Sequence, residues 1–64
     1  MTRETIKILG IMLKGGYIIR DSDKGQCWVV DAGGNYSQIE ETIFTEALKD
    51  EGVYPLNEGC YSRY

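Results

Sequence analysis

The chain has 64 residues and a formal net charge of −3, which allows one small domain with a thin core. A domain of this size buries only about 60% of the surface that its unfolded chain exposes. The chain is too short for the barrels that house many enzymes, and it lacks histidine, the commonest general base and a frequent metal ligand.

The first element that the pattern predicts is a helix over residues 2–14. The apolar residues that recur at helical spacing are Ile6, Leu9 and Leu13. Further apolar residues widen this stripe, so we expect the helix to be largely covered. Thr2 is the expected N-cap, and the glycine pair at 15–16 is the expected stop. Gly10 indicates either close packing at that point or a weaker helix.

Two β-rich runs follow the helix, with turn-forming residues around them. They comprise strands at 17–20 and 26–30, a loop at 21–25 and a turn at 31–35. Alternation along the second strand places Cys27 and Val29 on one face of the sheet, with Trp28 and Val30 on the other.

A capping-box pattern precedes the second predicted helix. Ser37 and Glu40 stand three residues apart, as the reciprocal caps of a helix N-terminus do, and apolar residues at helical spacing follow. We therefore expect a helix over about residues 38–51 that Gly52 ends. The remaining segment, 53–64, indicates a last hairpin, and Pro55 makes residues 53–56 either an edge strand or a loop.

The predicted order is α-β-β-α-β-β, without repeats or linkers. This order indicates a single α+β domain over residues 1–64, with two helices packed on a short antiparallel sheet.

The cysteine content favours a reducing compartment. Secreted domains of this size usually carry two to four disulfides, whereas this chain has only Cys27 and Cys60. Two thiols at half-buried strand positions are favoured over a bridge between them. The first residues do not match a signal peptide, and no apolar run approaches the length of a membrane span. We expect a cytoplasmic protein that does not contact membranes.

No catalytic or metal-binding set can be assembled from the sequence. Neither cysteine has a histidine to activate it, and the acidic pairs at 40–41 and 50–51 are helix neighbours that do not face each other. The loop at 21–25 departs from a calcium loop at Lys24. We expect no enzymatic activity, no cofactor and no metal.

The charge distribution predicts a partner-binding surface. Residues 1–20 carry four basic side chains against Glu4, whereas residues 21–64 carry three basic against nine acidic ones. An acidic ridge along the second helix would repel phosphates and attract a basic cleft. The alternative is that these charges only solvate the domain. The predicted partner-binding carboxylates are Asp21, Asp23, Asp31, Glu40, Glu41, Glu46, Asp50 and Glu51.

The chain is also rich in tyrosine, with five in 64 residues. A thin core cannot bury all of them, and tyrosine and tryptophan often anchor protein interfaces. We expect some to cap the rim of the core, and we expect Tyr36 and Tyr54 to join the partner-binding surface.

Two resemblances follow from these features. The short, acidic, histidine-free chain without a catalytic set resembles the small anti-CRISPR inhibitors that phages encode. That resemblance implies a monomeric inhibitor that binds a Cas protein or a Cascade-type surveillance complex and blocks target DNA with phosphate-imitating carboxylates, without binding nucleic acid itself. The segment at 13–18, followed by the helix that ends at 47–53, resembles small prophage winged-helix-like proteins. The second resemblance implies a DNA-binding regulator. The acidic second helix argues against that alternative, because a recognition helix presents basic or amide side chains to DNA.

Overall fold

The computed structural model describes residues 1–64 and has two helices and a five-stranded antiparallel sheet. The elements are α1 (Arg3–Leu13), β1 (Tyr17–Asp21), β2 (Gln26–Val30), β3 (Tyr36–Ile39), α2 (Glu41–Leu48), β4 (Val53–Asn57) and β5 (Cys60–Arg63). The α+β class and the two helices are confirmed. The order is α-β-β-β-α-β-β, so the sequence-based order lacked one strand.

Helix α1 has the predicted ends. The Thr2 hydroxyl accepts a hydrogen bond from the backbone N–H of Thr5 at 3.2 Å, as an N-cap side chain does. Gly15 follows the helix with φ of 103°, a left-handed conformation that glycine adopts without a steric cost. Both end signals are therefore confirmed.

The covering of α1 is less complete than predicted. The helix buries Thr5, Ile8, Leu9 and Met12. Of the three residues predicted to face the core, only Leu9 is buried. Ile6 and Leu13 are 60% and 52% exposed. A Cβ at Gly10 would meet no atom within 4 Å, so close packing does not explain this glycine.

The third strand lies where the capping box was expected. The turn at 31–35 does not end the sheet. It folds the chain back, so that β3 pairs with β2 and Ile39 lies opposite Cys27. Burial of Ile39 in the core favours this pairing over a helical start. Helix α2 begins at Glu41, and its N-cap residue, Glu40, makes no side-chain capping hydrogen bond. The predicted capping box is therefore wrong, and the helix is shorter at both ends than predicted.

The strands lie in the order β3-β2-β1-β5-β4, and both helices pack on one face. Ile18 pairs with Val29 on one side and with Tyr61 on the other, so these three side chains point to the helices. The core cluster consists of Ile8, Leu9, Met12, Ile18, Cys27, Val29, Ile39, Ile43, Phe44 and Ala47.

Both cysteines are free thiols, as favoured from the sequence. Cys27 faces the helices, whereas Cys60 pairs with Ile19 and points to the opposite face of the sheet. Strand β1 also separates the two strands that carry them. Neither helix has the length and apolar composition that a membrane crossing requires.

Candidate protein-binding surface

The helices leave the second face of the sheet uncovered, and we call this the open face. Strand alternation and the observed register assign its side chains. The open face consists of Tyr17, Ile19, Asp21, Gln26, Trp28, Val30, Tyr36, Gln38, Tyr54, Cys60 and Ser62. Most of these side chains are apolar or aromatic. Neither arginine of the sheet points to this face.

A row of three residues crosses the open face near one end of the sheet. Val30 lies between Tyr17 and Tyr36, its register partners on the neighbouring strands. Val30 is only 2% exposed, although no helix covers this face, whereas Tyr36 is 64% exposed. The neighbouring Tyr36 side chain, to which the Tyr17 hydroxyl donates, raises the pKa of Tyr17, so the two hydroxyl groups lie close together on this face.

Trp28 lies on the open face of β2, next to the central strand β1. It stands directly opposite Ile19, and the two residues line a surface cavity of about 440 Å³ together with Asp21 and Tyr36. Three of the four lining residues are hydrophobic, and the fourth is a carboxylate.

Aromatic surface continues to the opposite edge of the sheet. The rings of Tyr54 and Tyr64 stack with their centroids 4.4 Å apart, and Tyr64 is 81% exposed. Exposed aromatic side chains therefore lie at both edges of the sheet, Tyr36 on β3 and Tyr64 beside β4.

The carboxylates of α2 do not form the continuous outward ridge that the sequence predicted. Glu46 accepts a hydrogen bond from the backbone N–H of Thr2 at 2.7 Å, and this bond holds its pKa below the ordinary value. Glu41, the first helical residue, pairs with Arg20 of β1 at 3.4 Å.

Asp50 is also engaged within the domain. Its carboxylate lies 2.7 Å from Nε of Arg63 and accepts the backbone N–H of Gly52, and both contacts lower its pKa. Its side chain is only 16% exposed. Because Glu41, Glu46 and Asp50 contact other parts of the domain, the predicted continuous ridge does not form.

A different group of carboxylates gathers at one end of the sheet. The backbone N–H of Arg20 donates to the carbonyl of Gly59 at 2.9 Å, which brings the β4–β5 turn beside the β1–β2 loop. The pairing of β3 with the start of β2 places Glu40 at this same end. We call this group the acidic end; it consists of Asp21, Asp23, Glu40 and Glu58, and Lys24 is the one basic residue of the β1–β2 loop beside them.

Two other predicted site residues lie elsewhere. Asp31 accepts hydrogen bonds from the backbone N–H groups of Asn35 and Gly33 in the β2–β3 turn, and these bonds lower its pKa. Its carboxylate therefore orders a turn. Glu51 is exposed in the turn after α2.

The sequence-based site omitted the centre of the open face. Tyr36 and Tyr54 do lie on this face, but Trp28, Ile19 and Tyr17 were not among the predicted partner-binding residues. Alternation along β2 already separated Trp28 from Cys27. The sequence did not show that both helices would cover the Cys27 side of the sheet and leave the Trp28 side open.

The outer side of α2 offers no apolar contact site, and the chain has no cluster of metal ligands. A groove of about 430 Å³ follows the outer side of α2 between Glu41 and Lys49, and none of its lining residues is hydrophobic. No three histidine, cysteine, aspartate or glutamate side chains lie together as a metal site would require.

Comparison with known proteins gives no relative: no family model, no curated protein and no solved structure matches the chain. The functional interpretation therefore depends on the geometry of this chain.

Proposed function

We propose that this protein acts by binding another protein through its open face, with the acidic end at one border of the contact. The observation that carries the proposal is a helix-free sheet face on which Trp28 and tyrosines remain accessible and no cation is present. Contiguous exposed apolar patches on small soluble domains often mark interaction sites. Tyrosine and tryptophan are enriched among the residues that dominate binding energy.

The same face fits nucleic acid poorly. Single-stranded nucleic acid stacks on aromatic side chains where basic residues follow its backbone. Here Arg20 and Arg63, the arginines of the sheet, point to the helix side and pair with Glu41 and Asp50. The charged strand residue on the open face is Asp21. The alternative of a winged-helix-like DNA-binding regulator is therefore less favoured.

Charge favours a basic partner. The acidic end adjoins the open face at Asp21, so a partner would meet an apolar patch bordered by negative charge. Complementary charges of this kind steer association and exclude wrong partners. A standard interface buries about 800 Å² on each partner. The whole domain exposes 4395 Å², so such a contact would occupy a large share of it.

The finer form of the proposal is a phage-type inhibitor of a nucleic-acid-handling protein in the host cytoplasm. A Cas protein or a surveillance complex presents the basic cleft that this surface suits. In this form, the acidic end takes the phosphate-imitating role that the sequence assigned to the second helix. The domain acts as a monomer without catalysis.

A matched pair of lysine substitutions tests the contact surface. Tyr36→Lys places a cation on the open face, whereas Thr45→Lys places one on the outer side of α2, and both positions are exposed. Affinity capture from a bacterial lysate, quantified by mass spectrometry, should lose a specific protein with the first variant and retain it with the second. Equal capture by both variants would contradict the proposed surface.

Two direct assays test the finer form. A purified surveillance complex should bind less target DNA when the wild-type protein is added and recover binding with the Tyr36→Lys variant. Fluorescence anisotropy with random duplex DNA at low salt should show no association of the protein itself. Salt-sensitive DNA binding would instead support the regulator alternative.

A further inference from the structure

We propose that the cavity around Trp28 is a recognition pocket for an arginine side chain of the partner. This inference rests on the proposed function, because it names the chemical group that the open face accepts. The cavity is lined by Ile19, Asp21, Trp28 and Tyr36, and its volume of about 440 Å³ accommodates one long side chain.

The strand register gives the order of the lining residues along the pocket. Trp28 lies at its centre opposite Ile19, and Asp21 stands two residues further along β1 toward the acidic end. On β3, the register partner of Trp28 is Gln38. Tyr36 lies two residues from Gln38, on the side of Trp28 that is away from Asp21. Diagonal neighbours of this kind are about 7–8 Å apart at Cα, within reach of long side chains. The pocket is therefore aromatic at one end and anionic at the other.

This polarity matches arginine. The guanidinium is planar and weakly hydrated, so it can stack on an aromatic face and form a charge-assisted hydrogen bond to a carboxylate. The guanidinium would stack on the ring of Trp28 and donate to Asp21, and the methylene stem would lie along Ile19. Lysine has a compact, strongly hydrated charge and cannot stack in this way.

The Asp21 carboxylate is oriented and free of an internal cation. Its Oδ1 accepts the backbone N–H groups of Asp23 and Lys24 at 3.1 and 3.3 Å. The two ion pairs of the domain join other residues. Its second oxygen, Oδ2, makes no hydrogen bond within the chain. An arriving guanidinium would supply the missing positive charge.

The test titrates Nα-acetyl-L-arginine amide into the full ¹⁵N-labelled chain and follows amide shifts together with the fluorescence of Trp28, the only tryptophan. We expect saturable shifts at the pocket residues. The neutral isostere Nα-acetyl-L-citrulline amide should bind at least about tenfold more weakly, equivalent to about 1.4 kcal/mol. Equal binding of both probes, or shifts confined to another surface, would overturn the inference.

A pair of isosteric variants separates the carboxylate from the fold. Asp21→Asn keeps the side-chain oxygen that accepts the turn N–H groups but removes the charge. We expect it to bind the arginine probe about tenfold more weakly, while Asp23→Asn binds as the wild type does. Retained affinity in the Asp21→Asn variant would contradict the arginine pocket.

Probe binding and protein capture together distinguish a failure of this inference from a failure of the proposed function. If the probe does not bind but protein capture still depends on Tyr36, the pocket assignment is wrong and the open face remains the contact surface. If the probe binds but capture is insensitive to Tyr36→Lys, the proposed function is wrong.

Discussion

Two glycine-to-alanine substitutions should change stability in opposite directions. Gly16, between α1 and β1, is buried, and a Cβ there would lie 2.6 Å from the carbonyl oxygen of Val30 and 2.8 Å from that of Ile11. Both contacts are closer than real Cβ atoms come, and both involve main-chain atoms that cannot rotate away. Overpacking of this kind costs about 1–3 kcal/mol, so Gly16→Ala should lower stability by at least that amount.

Gly10 is the matched control. It lies inside α1 and has open space where a Cβ would be, so the new methyl group meets no obstacle. Alanine is favoured over glycine in a helix interior by about 1 kcal/mol, and Gly10→Ala should therefore raise stability by about that amount.

Urea denaturation and thermal unfolding measure both effects. For a domain of this size, about 1 kcal/mol moves the melting temperature by about 4–8 °C, and the urea m-value should not change. A Gly16→Ala protein as stable as the wild type would refute the packing described around the α1–β1 turn. A destabilised Gly10→Ala protein would refute the open space on α1.

Further substitutions test other parts of the domain. The buried Ser62 hydroxyl donates to a main-chain carbonyl at 3.0 Å, so Ser62→Ala should cost about 1–2 kcal/mol in chemical denaturation. The Arg63 guanidinium lowers the pKa of Asp50, so this pair contributes stability above the ordinary carboxyl range that is lost as pH falls through the lowered pKa. The stability gap between wild type and Asp50→Asn should therefore narrow below about pH 4 in pH-dependent melting, and a constant gap would contradict the ion pair. Burial raises the pKa of Cys60, so a thiol reagent should modify Cys60 slowly in the folded protein and should reach the buried Cys27 only after unfolding.

The elements that the sequence predicted correctly are those with local signals. The N-cap of α1 and the left-handed glycine after it involve residues a few positions apart, and both lie where the pattern placed them. The first hairpin likewise follows from two β-rich runs around a short loop.

The errors arise where distant contacts decide the outcome. Ser37 and Glu40 fit a capping box, but pairing with β2 and burial of Ile39 place this segment in a strand. The acidic ridge failed for the same reason. Arg63 is 13 positions from Asp50, and Thr2 is 44 positions from Glu46, so no local pattern shows that these carboxylates are engaged.

The open face was also hidden from sequence reasoning, because alternation separates the two sides of a strand but does not say which side a helix covers. The position of Trp28 relative to Cys27 was correctly predicted. Its accessibility followed only from the packing of both helices on the Cys27 side.

The attachment of α2 has a consequence for the order of folding. This helix has eight residues and no side-chain cap, and isolated helices of that length are marginal in water. Its buried residues, Ile43, Phe44 and Ala47, pack in the core against the sheet, where the pairing of β1 with β5 brings Ile18 to Tyr61 near the other end of the chain. We therefore expect α2 to become helical only after the two termini have met, and slow loop closure rather than local helix nucleation to limit the folding rate.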